Sequence, residues 1–385
     1  MKIPLAWLQL SREKMRLLVA LAGIGFADLL MFMQLGFRDA LFDSSIRLHK
    51  QIDGDVFLIS PQSTALIAMK SFPERRLFQA LSFPQVQSIS PLYLDLTLWK
   101  NPTNRATRSI LVIGFDPLAP IFDLPGVTQN IDKIKLADVV LFDEASRKEF
   151  GPVPEMFKAG QNIQTEVGSR RITVKGLFNL GASFGADGNL VTSELNFLRI
   201  FTRRKKGLID VGVVKLKPGY NEEQVKEIVQ EMRAKLPQDI KVFSKEEFIN
   251  FEKSYWQNST AIGFVFTLGT AMGFIVGIVI VYQVLYTDVA DHLAEYATLK
   301  AMGYRDIYFF GVVLQEAIIL AILGYMPGVV LSMGLYNLTR NATSLPMVMT
   351  FARATTVMTL SIIMCVISGA IALRKLSAAD PADIF

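Results

Sequence analysis

Four long apolar stretches, arranged as one followed by three, are the feature of this sequence that most constrains its fold. They cover residues 17–37, 261–286, 309–336 and 355–373. Each is close to the ~20 residues that an α-helix needs to cross a hydrocarbon core of ~30 Å. The sequence therefore predicts an α-helical membrane protein with four transmembrane helices. A large soluble domain, residues 38–257, separates the first helix from the other three.

Lysine and arginine residues lie just outside the first and the last apolar stretch, and they predict the orientation of the chain. They are Lys2, Arg12, Lys14, Arg16, Arg374 and Lys375. Because short basic flanks stay on the cytoplasmic side, we expect an inner (plasma) membrane protein with both termini in the cytoplasm. Residues 38–257 and the short loop 337–354 are then periplasmic, whereas residues 287–308 and the tail 374–385 are cytoplasmic.

The N-terminal residues predict a membrane anchor that is retained. Residues 1–16 alternate apolar and basic side chains at helical spacing, which is typical of a short helix lying on the inner membrane surface. The stretch 17–37 is longer than the apolar part of a signal peptide, and no small-residue cleavage site follows it. We therefore interpret it as an uncleaved transmembrane helix.

The soluble domain has the pattern of an α+β fold. Its clearest unit is residues 211–244, which read as a strand, a Pro-Gly turn, a helix capped by Asn221 and a second strand. Amphipathic helical extensions at both ends of the domain predict two stalks that leave the membrane side by side. A Pro- and Gly-rich stretch predicts that a sub-domain, about residues 116–203, is inserted into the first.

Several classes of function are disfavoured by what the sequence contains. The soluble domain holds 30 basic and 26 acidic residues, and this net charge of +4 is too small to indicate nucleic-acid binding. No phosphate-binding loop of the G-x-x-x-x-G-K-[ST] type occurs, so we expect no cofactor on this chain, and any ATP and Mg²⁺ would bind to a partner ATPase. His49, His292 and Cys365 are far apart in the sequence, and they predict no metal site.

Residues 181–185, Gly-Ala-Ser-Phe-Gly, match the G-x-S-x-G pattern of a hydrolase nucleophile elbow. That chemistry also needs a histidine base and a helix directly after the serine. The residues that follow are typical of a turn leading into a strand. A glycine-rich hairpin loop is therefore the favoured interpretation of Ser183 and its neighbours, and no catalytic residue is predicted.

Small and acidic residues inside the apolar stretches predict how the transmembrane helices pack. Gly269, Gly273 and Gly277 form a strip on which another helix can pack closely, either from the same chain or from a second copy. Asp28 and Glu316 are costly in lipid and should face the protein interior. An interhelical hydrogen bond is favoured for these two acids over a substrate or proton path.

The predicted cytoplasmic segment 287–308 carries a patterned apolar stripe, which favours docking to a partner over a simple connection between helices. We predict a short helix there that contacts an ATPase. The residues predicted to dock are Asp291, His292, Leu293, Glu295, Tyr296, Lys300 and Gly303.

The same segment resembles the FtsX/MacB-type permease family of ABC transporters, in which it reads approximately R-E-I-G-x-x-K-A-x-G. Glu295, Lys300, Ala301 and Gly303 match that pattern, whereas Ala294, Tyr296 and Ala297 differ from it. Two further segments match the family, the first by an L-x-E-A pattern followed by glycine and the second by a D-P-x-x-I ending. Their matching residues are Glu316, Ala317 and Gly324, and Asp380, Pro381 and Ile384. Within the family, residues 178–201 and 291–304 are most similar to the cyanobacterial DevC permeases of heterocyst exporters.

The resemblance implies a non-catalytic permease subunit of a tripartite exporter with a MacB-like periplasmic domain on helical stalks. Its implied partners are a DevA/MacB-type ATPase, a DevB-type membrane-fusion protein, a TolC-like outer-membrane protein and a second copy of this chain, together with membrane lipids. The implied activity is mechanotransmission, in which motion of the ATPase drives TolC-dependent efflux, with glycolipid as one candidate cargo. Two alternatives remain open, an FtsX-like signal transducer that controls a periplasmic hydrolase and a LolC/E-like lipoprotein-releasing permease.

Overall fold

The fold comes from a computed structural model of the chain. The model describes residues 14–292, 295, 298–299, 302–343 and 345–377. The chain divides into two compact units, one formed by Met1–Ala40 with Ala261–Phe385 and the other by Leu41–Thr260. We refer to them as the bundle and the soluble unit.

Four of the described helices are long and apolar enough to cross a membrane. They are α1 (Lys14–Ser45), α9 (Ala261–Asp291), α10 (Asp306–Thr343) and α11 (Phe351–Ser377). Each extends beyond its predicted apolar stretch, because backbone hydrogen bonding continues into polar residues after the hydrophobic run has ended. One helix therefore precedes the soluble unit and three follow it, as the hydropathy pattern predicts.

Helix α1 contributes to two hydrophobic clusters of the bundle. Ile24 and Ala27 lie in the first cluster with residues of α9, α10 and α11. Met31 and Phe32 lie in the second cluster, which also contains Tyr336. The helix that is most distant in sequence therefore packs among the other three.

The strands of the soluble unit are β1 (Val56–Ile59), β2 (Phe72–Pro73), β3 (Val86–Lys100), β4 (Thr107–Phe115), β5 (Val139–Asp143), β6 (Ile163–Val167), β7 (Arg170–Phe178), β8 (Asn189–Ser193), β9 (Leu208–Ile209), β10 (Val211–Leu216) and β11 (Lys241–Ser244). Nine of them form a mixed sheet in the order β11-β1-β10-β3-β4-β8-β5-β7-β6. A separate two-stranded sheet pairs β2 with β9.

Seven helices complete this unit, and they are α2 (Arg47–Gln51), α3 (Arg75–Gln79), α4 (Pro125–Thr128), α5 (Val153–Lys158), α6 (Glu194–Ile200), α7 (Glu222–Lys235) and α8 (Lys245–Ser254). Alternate residues of the central strands enter two different hydrophobic clusters. On β4, Ile110 and Val112 belong to one cluster, and Leu111 and Ile113 belong to the other. Since strand side chains alternate between faces, the sheet is buried on both sides.

The βαβ unit predicted over residues 211–244 is present. Strand β10 leads to α7, whose Asn221 side chain accepts a hydrogen bond from Gln224 N–H, while the Gln224 side chain accepts one from Asn221 N–H. This reciprocal pair satisfies two amide donors at the start of the helix. Strands β10 and β11 lie on either side of β1 and are both antiparallel to it.

Residues 116–203 do not form a sheet of their own, in contrast to the predicted inserted sub-domain. Strands β5–β8 continue the main sheet, because β4 pairs in parallel with β8 over Leu111–Phe115. Strand β5 then pairs with β7 on one side and β8 on the other. The Pro- and Gly-rich stretch lies in the long connection from β4 to β5, two strands of the same sheet that both pair with β8.

The predicted stalks pack against each other inside the soluble unit. We define stalk 1 as residues 41–51 and stalk 2 as residues 245–259. The His49 ring lies 4.5 Å from the Phe248 ring, measured between centroids. Stalk 1 continues α1 without a break up to Ser45, whereas stalk 2 ends in a π-helical turn at Tyr255–Ser259.

Candidate functional site

The coupling segment, residues 287–308, joins α9 to α10. Its described residues include a helical turn, in which Met302 N–H donates to Thr298 C=O (3.1 Å) and Tyr304 N–H to Leu299 C=O (3.2 Å). Gly303 follows with a φ of +93°, in the left-handed region where glycine carries no Cβ penalty. The segment therefore has a defined end close to the start of α10.

The residues predicted to dock a partner have different environments. Glu295 is exposed and helical, and Leu293, Tyr296 and Lys300 lie outside the described residues. The Asp291 carboxylate binds the guanidinium of Arg16 in α1. The His292 Nδ1 lies 2.9 Å from the Asp288 carbonyl oxygen. Asp291 and His292 therefore make contacts within the bundle that hold the end of α9.

Exposed apolar side chains near the end of the coupling segment did not enter the sequence-based prediction. They are Met302, Tyr304, Ile307 and Tyr308. The rings of Tyr304 and Tyr308 lie 4.8 Å apart, so one apolar surface extends into the first turn of α10. Exposed apolar groups of this kind mark sites of interaction with proteins or membranes. The i, i+4 spacing of the two tyrosines was the available sequence signal.

The glycine strip of α9 packs on α1 of the same chain. An ideal Cβ at Gly269 would lie 2.5 Å from the side chain of Gln34. One at Gly277 would lie 2.9 Å from Ala27 Cβ and would overlap the Met364 sulfur of α11. At Gly273 the nearest atom is Leu30 Cβ, at 3.3 Å. Glycine thus allows the two helices to approach closely, which is the arrangement that favours helix association in lipid.

Asp28 lies completely buried in the bundle, where it meets two other helices. The Ser361 hydroxyl of α11 donates to Asp28 Oδ2 (3.3 Å). An ideal Cβ at Gly328 of α10 would lie 2.9 Å from the Asp28 Cβ. These contacts agree with an interhelical hydrogen bond as the role of this carboxyl group.

Glu316 is also completely buried, and it lies beside Asp288 near the end of α9. Arg16 reaches Asp288 from α1, with Nη1 3.3 Å from Oδ1. A basic residue from the start of α1 therefore pairs with Asp288, the acid that lies beside Glu316. Arg16 connects α1 to the part of α9 that leads into the coupling segment.

A second arginine connects helices at the other end of the bundle, and the sequence did not single it out. Arg353 of α11 donates from Nη2 to Asp39 Oδ2 of α1 (2.9 Å) and from Nη1 to the Val348 carbonyl (2.8 Å). Its guanidinium also lies over the Tyr336 ring of α10, 5.5 Å from the centroid. Because Arg353 is only 6% exposed, these contacts position α1, α10 and α11 in a largely dry environment.

Ser183, the central residue of the G-x-S-x-G pattern, lies in a tight turn. Its Oγ accepts a hydrogen bond from Ala186 N–H (3.1 Å), and its own N–H donates to the Ala186 carbonyl (2.8 Å). A short loop leads from this turn to β8, so no helix follows the serine as a nucleophile elbow requires. The structure therefore agrees with the hairpin-loop interpretation.

His49 and Glu252 form a buried polar pair between the two stalks. Their closest atoms, His49 Nε2 and Glu252 Oε2, are 3.7 Å apart. Glu252 accepts hydrogen bonds from Leu66 N–H (2.7 Å) and Trp256 Nε1–H (2.8 Å). Burial lowers the pKa of His49 to about 3 and raises the pKa of Glu252 to about 7, against the effect of these two hydrogen bonds.

Two family profiles match almost the whole described chain. Residues 17–232, more than half of the sequence, match the MacB-like periplasmic core domain. Residues 260–381 match the FtsX-like permease C-terminal domain. No curated protein sequence is significantly similar to the chain.

Two solved structures are similar to about half of the chain. The periplasmic region of MacB from Actinobacillus actinomycetemcomitans is similar over 54% of this chain and 95% of that chain, with 14% sequence identity and a TM-score of 0.34. The extracellular domain of the ABC-type transporter YknZ from Gram-positive bacteria is similar over 49% of this chain and 98% of that chain, with 12% identity and a TM-score of 0.33.

The two profile matches lie in the order that the 1 + 3 helix layout requires, with the core-domain match beginning in α1 and the permease match beginning next to α9. The predicted fold class, a four-helix membrane protein with a large extracytoplasmic α+β domain, is confirmed. Proteins of this type are permease subunits that work with ABC ATPases. The chain belongs to the FtsX/MacB family of ABC transporter permeases.

Proposed function

We propose that this chain is the membrane subunit of a tripartite exporter and that it transmits ATP-driven motion to its extracytoplasmic domain. The observation that carries the proposal is the continuity of α1, which runs from Lys14 in the bundle to Ser45 in the soluble unit. A helix without a break transmits displacement along its axis better than a flexible linker does. In this proposal the chain provides a mechanical input and output, and a partner ATPase binds the nucleotide.

The input of this mechanism is the coupling segment. Its exposed Glu295, Met302 and Tyr304 offer one charge and an apolar surface to a DevA/MacB-type ATPase, which would hold ATP and Mg²⁺. Asp291 is bound by Arg16, so a push on this segment reaches α1 directly through an ion pair. The predicted docking residues Leu293, Tyr296 and Lys300 belong to the same proposed contact.

The ion pairs at both ends of α1 support its role as a lever. Arg16 ties one end to α9, and Arg353 with Asp39 ties the other end to α11. A helix held at both ends moves with the bundle instead of sliding within it. This arrangement favours transmission of force over transport through a polar pore among the four helices.

On the extracytoplasmic side we assign a DevB-type membrane-fusion protein and a TolC-like duct as partners, with a glycolipid as the candidate cargo. The active unit is a homodimer in a lipid membrane, oriented with both termini in the cytoplasm. Support for a second copy comes from α9, which has an outward apolar face formed by Phe264, Val265, Leu268, Met272, Ile275 and Val279.

Affinity purification of the full chain from its membrane, followed by mass spectrometry of bound proteins and lipids, tests this proposal. We expect an ABC ATPase and a membrane-fusion protein to co-purify. Glu295→Lys and Met302→Asp should each remove the ATPase and leave the chain in the membrane. Glu222→Lys, a matched charge reversal at an exposed position of the soluble unit, should retain it.

The outcomes separate the rival functions. A periplasmic hydrolase in place of the fusion protein would identify an FtsX-like signal transducer, and a bound lipoprotein would identify a LolC/E-like releasing permease. ATPase binding that survives both coupling-segment changes would overturn the docking assignment. Reporter fusions that place residues 287–308 and 41–260 in the same compartment would overturn the whole mechanism.

A further inference from the structure

The G-x-S-x-G pattern lies in a loop whose base is fastened to the centre of the sheet. We define this loop as residues 180–186. Asp143, at the end of β5, accepts hydrogen bonds from Leu180 N–H (3.0 Å), Gly181 N–H (2.8 Å) and Asn189 Nδ2 (2.8 Å). Asn189 also donates to the Gly181 carbonyl (3.1 Å). The 180–186 loop therefore cannot shift without disturbing β5 and β8.

Stalk 1 is hydrogen-bonded to the same loop. Arg47 Nη1 donates to the carbonyl oxygens of Leu180 (3.0 Å) and Ala182 (3.4 Å). The Ser44 hydroxyl oxygen accepts a hydrogen bond from Phe184 N–H (3.3 Å). A charged donor shared between two carbonyl groups is a stronger link than a neutral hydrogen bond.

Stalk 2 meets the loop through an aromatic contact. The Phe184 ring packs edge-on against the Trp256 ring, with centroids 4.8 Å apart and an interplanar angle of 85°. The Trp256 indole is in turn fixed by its hydrogen bond to Glu252. Phe184 thus reaches the π-helical turn with which stalk 2 ends.

Both glycines of the pattern are explained by these contacts and not by catalysis. Gly181 has a φ of +94°, and any Cβ there would overlap the Arg47 guanidinium. At Gly185 a Cβ would lie 2.6 Å from Ile67 Cγ2. A side chain at Gly181 would push the loop away from stalk 1, and one at Gly185 would push it away from Ile67.

We propose that the 180–186 loop is a lock that joins both stalks to the sheet, with Arg47 and Phe184 as its positioning residues. This inference deepens the proposed function, because a lever moves the extracytoplasmic domain only if its stalks cannot slip relative to the sheet. The lock makes stalk 1, stalk 2, β5 and β8 move as one body.

Distances between spin labels in the full chain test the lock. Cys365→Ala provides a cysteine-free background, and labels at exposed Gln51→Cys and Lys148→Cys report the distance from stalk 1 to the β5 side of the sheet. We expect a narrow distance distribution in the parent chain and a clearly broader one in Arg47→Ala/Phe184→Ala. Lys50→Ala and Phe78→Ala, which change exposed residues of the same types, should leave the distribution narrow.

Amide hydrogen exchange provides a second measurement on the same variants. Arg47→Ala should lower the protection of residues 180–186 by about ten- to hundred-fold, since a charge-assisted hydrogen bond is lost. Arg47→Lys, which keeps the charge, should restore part of that protection and of the narrow distance distribution. Exchange in α7 should stay unchanged, which shows that the variant protein is folded.

The lock and the proposed function fail in different ways. The lock is tested in the isolated chain, with no ATPase present. A narrow spin-label distance distribution in Arg47→Ala/Phe184→Ala, together with unchanged hydrogen exchange of the 180–186 loop, would overturn it. With the co-purified ATPase and ATP-Mg-vanadate, the 51–148 distance should stay constant in the parent chain and change in the double variant. If instead nucleotide moves no label in either chain, including one at Glu295→Cys, the proposed transmission itself is wrong.

Discussion

Replacing Asp143 by asparagine should loosen the connection between the 180–186 loop and the sheet. Asp143 is completely buried and accepts four hydrogen bonds. One carboxylate oxygen binds Leu180 N–H (3.0 Å) and Ala145 N–H (3.1 Å), and the other binds Gly181 N–H and Asn189 Nδ2, both at 2.8 Å. Burial raises the pKa of Asp143, and these hydrogen bonds to the carboxylate oppose that rise.

The size of the effect follows from the number of donors left without an acceptor. In the parent chain each carboxylate oxygen of Asp143 accepts two hydrogen bonds. The carboxamide of the Asp143→Asn variant would keep one oxygen, and its NH₂ group would face two N–H donors that lose their acceptor. A buried donor without a partner costs ~1–3 kcal/mol, so the variant, with two such donors, should lose ~2–6 kcal/mol locally. At ~1.4 kcal/mol per tenfold change in an equilibrium, amide protection around Leu180 and Gly181 should fall ~30- to ~20,000-fold.

Hydrogen exchange measured by mass spectrometry on the full chain in detergent is the assay. Glu144→Gln is the matched control, because the neighbouring Glu144 carboxylate only pairs with exposed Lys158 at 3.2 Å. Surface pairs of this kind contribute ~0–1 kcal/mol, so the control should change protection less than tenfold. Equal protection in Asp143→Asn and the parent chain would refute the argument that this carboxylate fastens the loop.

Three further predictions concern the bundle, the βαβ unit and the serine of the loop. Gly273→Leu should lower the thermal unfolding temperature of the solubilised chain by overpacking the α1–α9 contact, at a cost of ~1–3 kcal/mol, whereas Gly334→Leu, where a Cβ meets no atom within 4 Å, should not. Asn221→Ala should reduce protection of the first turn of α7 by the ~1 kcal/mol typical of a lost N-cap, and an unchanged first turn would contradict the capping assignment. Ser183→Ala should leave export unchanged, and loss of transport by a folded variant would revive the nucleophile interpretation.

The parts of the fold that could be predicted from the sequence are those fixed by local signals. The length of each apolar run determines whether a helix can span a membrane, so the 1 + 3 layout followed from hydropathy alone. In the unit at residues 211–244, Asn221 and Gln224 form the capping box that the predicted helix start at Asn221 suggested. Each of these signals involves residues that are close in the sequence.

The contacts that organise the candidate site join residues far apart in the sequence, and no local pattern reports them. Arg353 and Asp39 are separated by 314 positions, and Arg16 and Asp291 by 275. A charged residue beside an apolar run looks the same whether it faces water or a partner helix. The sequence places Asp291 among the predicted docking residues, and no local pattern indicates its ion pair with Arg16.

The G-x-S-x-G pattern shows the same limit from the opposite direction. A hydrolase elbow and a hairpin loop share the need for two glycines around a crowded turn, so the pattern alone does not separate them. What separates them is the identity of the crowding groups. In this chain those groups are the guanidinium of Arg47 and the side chain of Ile67, neither of which is near residues 181–185 in the sequence.

The buried pair His49–Glu252 makes the stability of the stalks depend on pH, but we expect this dependence to appear only when one of the two side chains is replaced. Besides each other, the pair has two hydrogen-bond donors, the Leu66 amide and the Trp256 indole, and one ring contact, Phe248, and these three groups are uncharged. The pKa of Glu252 is raised to about 7 in the folded protein, so its contribution to stability is complete below its ordinary value of 4.5 and is lost as pH rises to 7. The pKa of His49 is lowered to about 3, so its contribution is complete above 6.5 and is lost as pH falls.

Between pH 4.5 and 6.5 the two dependences cancel in the parent chain, because the folded and unfolded states then bind the same number of protons at this pair. Glu252→Gln should lose stability as pH falls through this range, and His49→Leu should lose it as pH rises, each by ~1.4 kcal/mol per pH unit. The measurement is the free energy of opening of stalk 2 from hydrogen exchange, corrected for the intrinsic exchange rate at each pH. The pH dependence of the opening free energy has opposite signs in the two variants, so a general loss of packing cannot produce both. Parallel pH profiles in the two variants would show that His49 and Glu252 are not uncharged between the stalks.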